Sequence, residues 1–141
     1  MNHQGTKVLK TDRLILRPFR ISDAQKMYDN WASDPEVTKF LTWPTHASAE
    51  VTANLLAYWC NQYEKEDYYQ WAICLKEKDE PIGSMAIVDG DFRVGRAEIG
   101  YCISRKWWGK GITAEALQAV IRYLFDEVGM NRIEARHDPR N

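Results

Sequence analysis

The clearest chemical signal in this sequence is a pair of glycines one residue apart, Gly109-Lys110-Gly111, set between a β-like run and a helix-like one. Glycine at such a corner lets the backbone approach a ligand and turn successive N–H groups outward. A helix that begins there adds unpaired N–H donors and a partial positive charge. Both features favour an anion, and phosphate suits them best. Arg105, Lys106 and Lys110 bring positive charge to the same place. The pair is not a phosphate-binding P-loop, because Lys110 is followed by Gly111 rather than Ser or Thr and no glycine stands five residues before Gly109. It is not a dinucleotide fingerprint either, since no third glycine completes the pattern. Taken alone, Gly-x-Gly is also compatible with a tight turn that binds nothing.

The elements that must position this loop follow from pattern. Asp12–Arg20 alternates, with Leu14, Leu16 and Phe19 against Arg13, Ile15 and Arg17, and predicts a strand stopped at Pro18. Ser22 with Gln25 three residues on predicts a capped helix running to about Ser33, where Pro35 disfavours continuation. Ser48 opens a second helix with Val51, Leu55, Trp59 and Tyr63 on one face. Three β-rich runs follow, 68–75, 82–88 and 96–103, with Asp89-Gly90-Asp91 as one turn; their short links predict an antiparallel meander. Leu117, Val120, Ile121, Leu124, Phe125 and Val128 fall at helical steps, Gly129 caps that helix, and Arg132–Arg136 predicts a last strand. A strand, helix, strand crossover implies a locally parallel pair. The fold class is therefore α/β with a mixed sheet.

Composition bounds the function. A chain of 141 residues with 19 basic and 20 acidic side chains has no basic excess for general nucleic-acid binding. No apolar run reaches the ~20 residues that span a bilayer, and the polar start from Met1 to Lys10 lacks a signal core. Cys60, Cys74 and Cys102 are dispersed and do not cluster with His3, His46 or His137, so no metal site is expected and reduced, buried thiols are. These features predict a soluble, cytoplasmic protein.

The run GYCISRKWWGKGITAEAL resembles the acetyl-CoA-binding segment of the GNAT acetyltransferases, whose signature is Arg/Gln-x-x-Gly-x-Gly/Ala. Lys106-Trp107-Trp108-Gly109-Lys110-Gly111 fits it with Lys in the first position. The Trp-Gly-Lys-Gly form, the preceding Glu-Ile-Gly-Tyr, the opening TDRLILRPF and the terminal HDPRN are similar to the branch that contains ribosomal-protein N-acetyltransferases.

The resemblance implies a GNAT fold with helices on both faces of the sheet. It also implies acetyl-CoA as cosubstrate, lying where the fourth and fifth strands splay apart. By position, Tyr101, Cys102 and Ile103 would pair with the pantetheine arm. Lys106 stands at the signature's first place; Trp108, Gly109, Lys110, Gly111, Ile112 and Thr113 would form the pyrophosphate loop; Asn141 would touch the cofactor arm. Glu98 would take the proton of the attacking amine, and burial would have to raise its pKa for that task; an ordinary strand-edge ion pair is the competing role. A backbone N–H near Cys102 would hold the developing oxyanion. Cys102 as an acyl-accepting nucleophile lacks a partner histidine, so direct transfer is expected. Family members continue past the asparagine with a further helix and strand pair that supply the general acid. The resemblance thus implies a single domain over residues 1–141, cut short after its fifth strand: either a fragment, or a chain whose missing elements come from a partner such as a domain-swapped copy. Trp31, Phe40 and Trp43 are candidates for the acceptor wall.

Two rivals to an amine acetyltransferase remain at this stage: a non-catalytic acetyl-CoA-binding module, and a nucleotide-binding domain.

Overall fold

The structure is a computed structural model that describes residues 1–135; Asn141 and the HDPRN motif lie outside the described residues. Six strands form one sheet in sequence order. β1 (Leu9–Lys10), β2 (Leu14–Arg17), β3 (Gln70–Leu75), β4 (Pro81–Asp91) and β5 (Arg96–Ile103) pair antiparallel, and β6 (Arg132–Ala135) joins β5 in parallel. The helical segments include a turn at Ile21–Asp23 running into α1 (Ala24–Met27) and on through a π-helical turn, Tyr28–Ala32, to Ser33, then the short α2 (Pro35–Thr38), α3 (Ala49–Gln62) and α4 (Ile112–Tyr123). α4 ends in a wider π-helical turn, Leu124–Val128, with Gly129 as its cap.

Both faces of the sheet are covered. Leu14, Leu16, Trp71, Ile73, Met85, Ile99 and Ile103 pack against Ile112, Ala116, Val120 and Leu124 of the α4 segment. Phe19, Met27, Trp31, Val37, Leu56, Ala72 and Cys74 form the second cluster, on the α1–α3 side. Period-two side-chain alternation divides one strand between the two: Ile73 belongs to the first, Ala72 and Cys74 to the second.

Several boundaries differ from the pattern. The first helical segment opens at Ile21, not Ser22. The backbone N–H of Arg20 donates to Asp23 at 2.8 Å, so Asp23 replaces the predicted Ser22/Gln25 pair. On α3 the fully buried positions are Thr52 and Leu56, while Val51 is exposed. An interval of four outruns the 3.6-residue turn, so a strict i+4 row drifts off the buried face. Asp89-Gly90-Asp91 stays in β4, whose register slips between Ile87 and Asp89, and the chain turns later. Arg17 is 4% exposed rather than solvent-facing. Its guanidinium donates twice to Asp23 at 2.9 Å and once to Asp79 at 2.8 Å. Those bonds offset the burial that would otherwise lower its pKa, and hold it above the ordinary value.

Candidate active site

β5 lies between β4 and β6. The β5–β6 register pairs Arg96 with Arg132 and ends with Ile99 opposite Ala135, the last described residue. Among the described residues no strand pairs with the outer edge of 100–103. The backbone polarity of that edge follows from the ladder. Ser104 donates to Ile82 O at 2.7 Å, and the pairing Ser84↔Cys102 continues the same register. In an antiparallel ladder every second residue bonds the neighbour, so Cys102 directs its N–H and C=O toward β4. Tyr101 and Ile103 direct theirs to the outer edge. The Ile103 carbonyl accepts the indole N–H of Trp108 at 3.0 Å.

Beyond β5 come a short turn, Arg105–Trp107, and the two glycines. Both adopt left-handed backbone, φ +74° at Gly109 and +75° at Gly111. A β-carbon at Gly109 would meet nothing within 4 Å. Gly111 is the N-cap of α4 and offers no side chain to cap it. The first amide bonded back within the helix start is Glu115 N, to Gly111 O at 3.1 Å. The amides of Ile112, Thr113 and Ala114 therefore lead the helix without a preceding turn to bond, at the positive end of its dipole.

These elements enclose a cleft of about 310 Å³, within the range of small-ligand sites. Tyr101, Cys102 and Ile103 form one side of it. Trp108, Gly109, Lys110, Gly111, Ile112 and Thr113 line it as well. Nine of the residues selected from the sequence for the donor site thus meet in one cavity. Two do not: Lys106 stands beside it on the turn, with Nζ 5.7 Å from the Trp107 ring centre, and Glu98 lies four residues back along β5, half-buried.

Val37, Trp107 and Ala114 also line the cleft and went unselected in the sequence. Trp107 had a signal, its place between Lys106 and Trp108. Lys110 Nζ sits 5.9 Å from its ring centre, so two ammonium groups flank one indole. Val37 had none, because α2 reaches the cleft only through tertiary packing. Of the three aromatic candidates for an acceptor wall, only Phe40 lines the cleft. Trp31 is fully buried, and Trp43 stacks on His46 with ring centres 4.5 Å apart. Arg105, read from sequence as charge beside the loop, is paired with Asp34.

Burial pushes the Cys102 thiol up to about 12, so it is protonated at neutral pH and a poor nucleophile. Among the described residues no cluster of three or more His, Cys, Asp or Glu could hold a metal, and no helix is long and apolar enough to cross a membrane.

The model of the family described as Acetyltransferase (GNAT) domain matches residues 13–141. This chain belongs to the GNAT acetyltransferases. They are enzymes that move an acetyl group to an amine. The GNAT chain is 36% identical over 135 residues to an uncharacterized N-acetyltransferase p20 of Bacillus licheniformis, covering 96% of this chain and 75% of that protein. It is 29% identical to the [ribosomal protein uS5]-alanine N-acetyltransferase of Escherichia coli, covering 94% and 71%. A GNAT-family acetyltransferase from Bacillus anthracis superposes with a TM-score of 0.79 at 25% identity, covering 96% and 76%. This GNAT chain therefore spans about three quarters of the length of such relatives, and its mixed sheet with helices on both faces is their fold.

Proposed function

We propose that this protein binds acetyl-CoA in the cleft between β5 and the start of α4 and transfers the acetyl group directly to a primary amine, on a protein N-terminus or a small molecule. The observation that carries this reading is the coincidence of two left-handed glycines, an uncapped helix start and an outward-facing strand edge around a single cavity. The bound donor supplies a thioester carbonyl open to attack by a neutral amine.

The chain's own groups divide the work. The amides from Gly109 to Thr113 bind the diphosphate, assisted by Lys110 within the cleft and Lys106 beside it. Tyr101 offers its N–H and C=O, and Ile103 its N–H, to an extended amide chain, as a sheet edge does for an added strand; the Ile103 carbonyl is held by the Trp108 indole. The outward N–H of Tyr101 or Ile103, rather than that of Cys102, fits the oxyanion role, because Cys102 bonds β4. Glu98 shares the pleat face of Cys102 and accepts the amine proton through water, since four residues of strand span about 13 Å. Val37 and Phe40 shape the far wall.

The test measures coenzyme A release against a panel of primary amines, peptides with free N-termini included, for the wild type and Glu98→Gln. Turnover that falls at least tenfold in Glu98→Gln with unchanged coenzyme A affinity supports the reading. Binding without turnover on any amine leaves a donor-binding module instead. Competition by ATP as strong as that by coenzyme A returns the nucleotide-binding alternative.

A further inference from the structure

The TDRL segment, Thr11 to Leu14, lies at the start of β2, yet its polar side chains meet the glycine turn about a hundred residues later. Arg13 Nε donates to Glu115 Oε1 at 2.7 Å, and the Arg13 backbone N–H donates to Glu115 Oε2 at 2.9 Å. The Thr11 hydroxyl donates to the same Oε2. Arg13 Nη1 donates to the carbonyl of Lys110, between the two glycines, at 3.0 Å. Its Nη2 lies 3.6 Å from where a β-carbon of Gly111 would stand.

We propose that Arg13 is a positioning residue for the diphosphate of the acetyl donor, acting through the Lys110 carbonyl and the Glu115 carboxylate. The inference rests on the reading of the glycine turn as the donor site. Two physical effects carry it. The Lys110 carbonyl and the Gly111 N–H belong to one planar trans peptide, so they point in opposite directions. Anchoring the oxygen to Arg13 therefore turns the Gly111 N–H away from Arg13, where a phosphate oxygen can accept it. The second effect is electrostatic. Glu115 sits in the first turn of α4, where a carboxylate is itself the anion the helix start attracts. Left unpaired, it would repel the diphosphate and compete for the same field. The Arg13 guanidinium, with the Arg13 amide and the Thr11 hydroxyl, occupies both carboxylate oxygens and cancels the charge.

A merely structural pair would behave differently from a positioning one, and the two variants at the pair separate them. In calorimetric titration with coenzyme A, Arg13→Ala should weaken binding roughly tenfold, the loss of one charge-assisted hydrogen bond network. Glu115→Gln should bind coenzyme A at least as tightly as wild type while melting at a lower temperature, since it loses scaffold bonds yet removes the repulsive charge. The double variant should recover most of the affinity lost in Arg13→Ala. Wild-type affinity in Arg13→Ala overturns the inference, and so does a Glu115→Gln variant weakened as much as Arg13→Ala. If Arg13→Ala fails to melt cooperatively, Glu115→Gln decides alone, because it retains Arg13: coenzyme A affinity at or above wild type supports the inference, and a loss of about tenfold overturns it. A wild type that does not bind coenzyme A overturns the donor-site reading itself, and this inference with it.

Discussion

The guanidinium of Arg105 grips the carboxylate of Asp34 through Nε and Nη2, each at 3.0 Å, joining positions 71 residues apart. Arg105 opens the turn that leads to the glycines; Asp34 is the N-cap of α2 and accepts the backbone N–H of Glu36 at 2.9 Å. One carboxylate thus starts the helix that carries Val37 and ties that helix to the donor loop. The cleft has two walls from distant parts of the chain, and this pair spans them.

The double duty of Asp34 predicts an order of effects. Asp34→Ala removes an N-cap worth about 1 kcal/mol and an ion pair, exposed on its Arg105 side, worth about 0.5 kcal/mol. Asp34→Asn keeps a capping oxygen and loses only the pair, as does Arg105→Ala. Urea melts should rank Asp34→Ala clearly below the other two, which should match each other within about 0.5 kcal/mol. Equal losses in all three would show that the cap contributes nothing.

At the glycine turn, binding and stability should part company. Alanine in a left-handed conformation costs about 1 kcal/mol at either glycine. At Gly109 the added methyl meets open space, so nothing further is lost in the fold. Gly109 does, however, line the cleft, so a side chain there competes with a ligand for space. Gly109→Ala should therefore melt only a few degrees below wild type yet bind coenzyme A at least tenfold more weakly. Unchanged affinity would mean that the amides around Gly109 do not meet the ligand.

How much of this was legible in the sequence depends on how local each feature is. The glycine turn, the helix after it and the three-strand meander are set by residues near one another in the chain, and they stand where the pattern put them. The N-cap of the first helical segment was mislocated because Asp23, three residues along, reaches back to Arg20. Alternation along β2 misplaced Arg17, because both faces of the sheet are covered, Asp23 accompanies the charge inward and the exposed Asp79 pairs with it from the surface. Val37 in the cleft wall and the role of Arg13 were invisible for the same reason. Each depends on a partner brought close only by the fold, and no spacing along the chain encodes it.

The cysteines make the fold sensitive to alkali, and the sign follows from where their protons reside. Cys74 is fully buried, and burial pushes its thiol up to about 12; Cys102 is pushed up to about 12 for the same reason. An unfolded thiol titrates near its ordinary value of 9.0. Below that value both states hold the proton and the stability is intact. Above it the unfolded chain releases protons that the folded chain retains, so the unfolded state gains, by up to about 1.4 kcal/mol per pH unit for each thiol. Stability should thus decline from about pH 9 toward pH 12, the first part of the decline preceding tyrosine ionisation near pH 10. Urea melts between pH 8 and 10 measure the slope, and Cys74→Ala should reduce it by about half a proton's worth near pH 9, rising toward one proton's worth at pH 10. Cys102→Ala should do the same and leave acetyl transfer within about threefold of wild type, since a protonated thiol makes a poor acyl acceptor. An unaltered slope in Cys74→Ala would place the titrating group elsewhere, and turnover abolished in Cys102→Ala would restore the thiol as nucleophile.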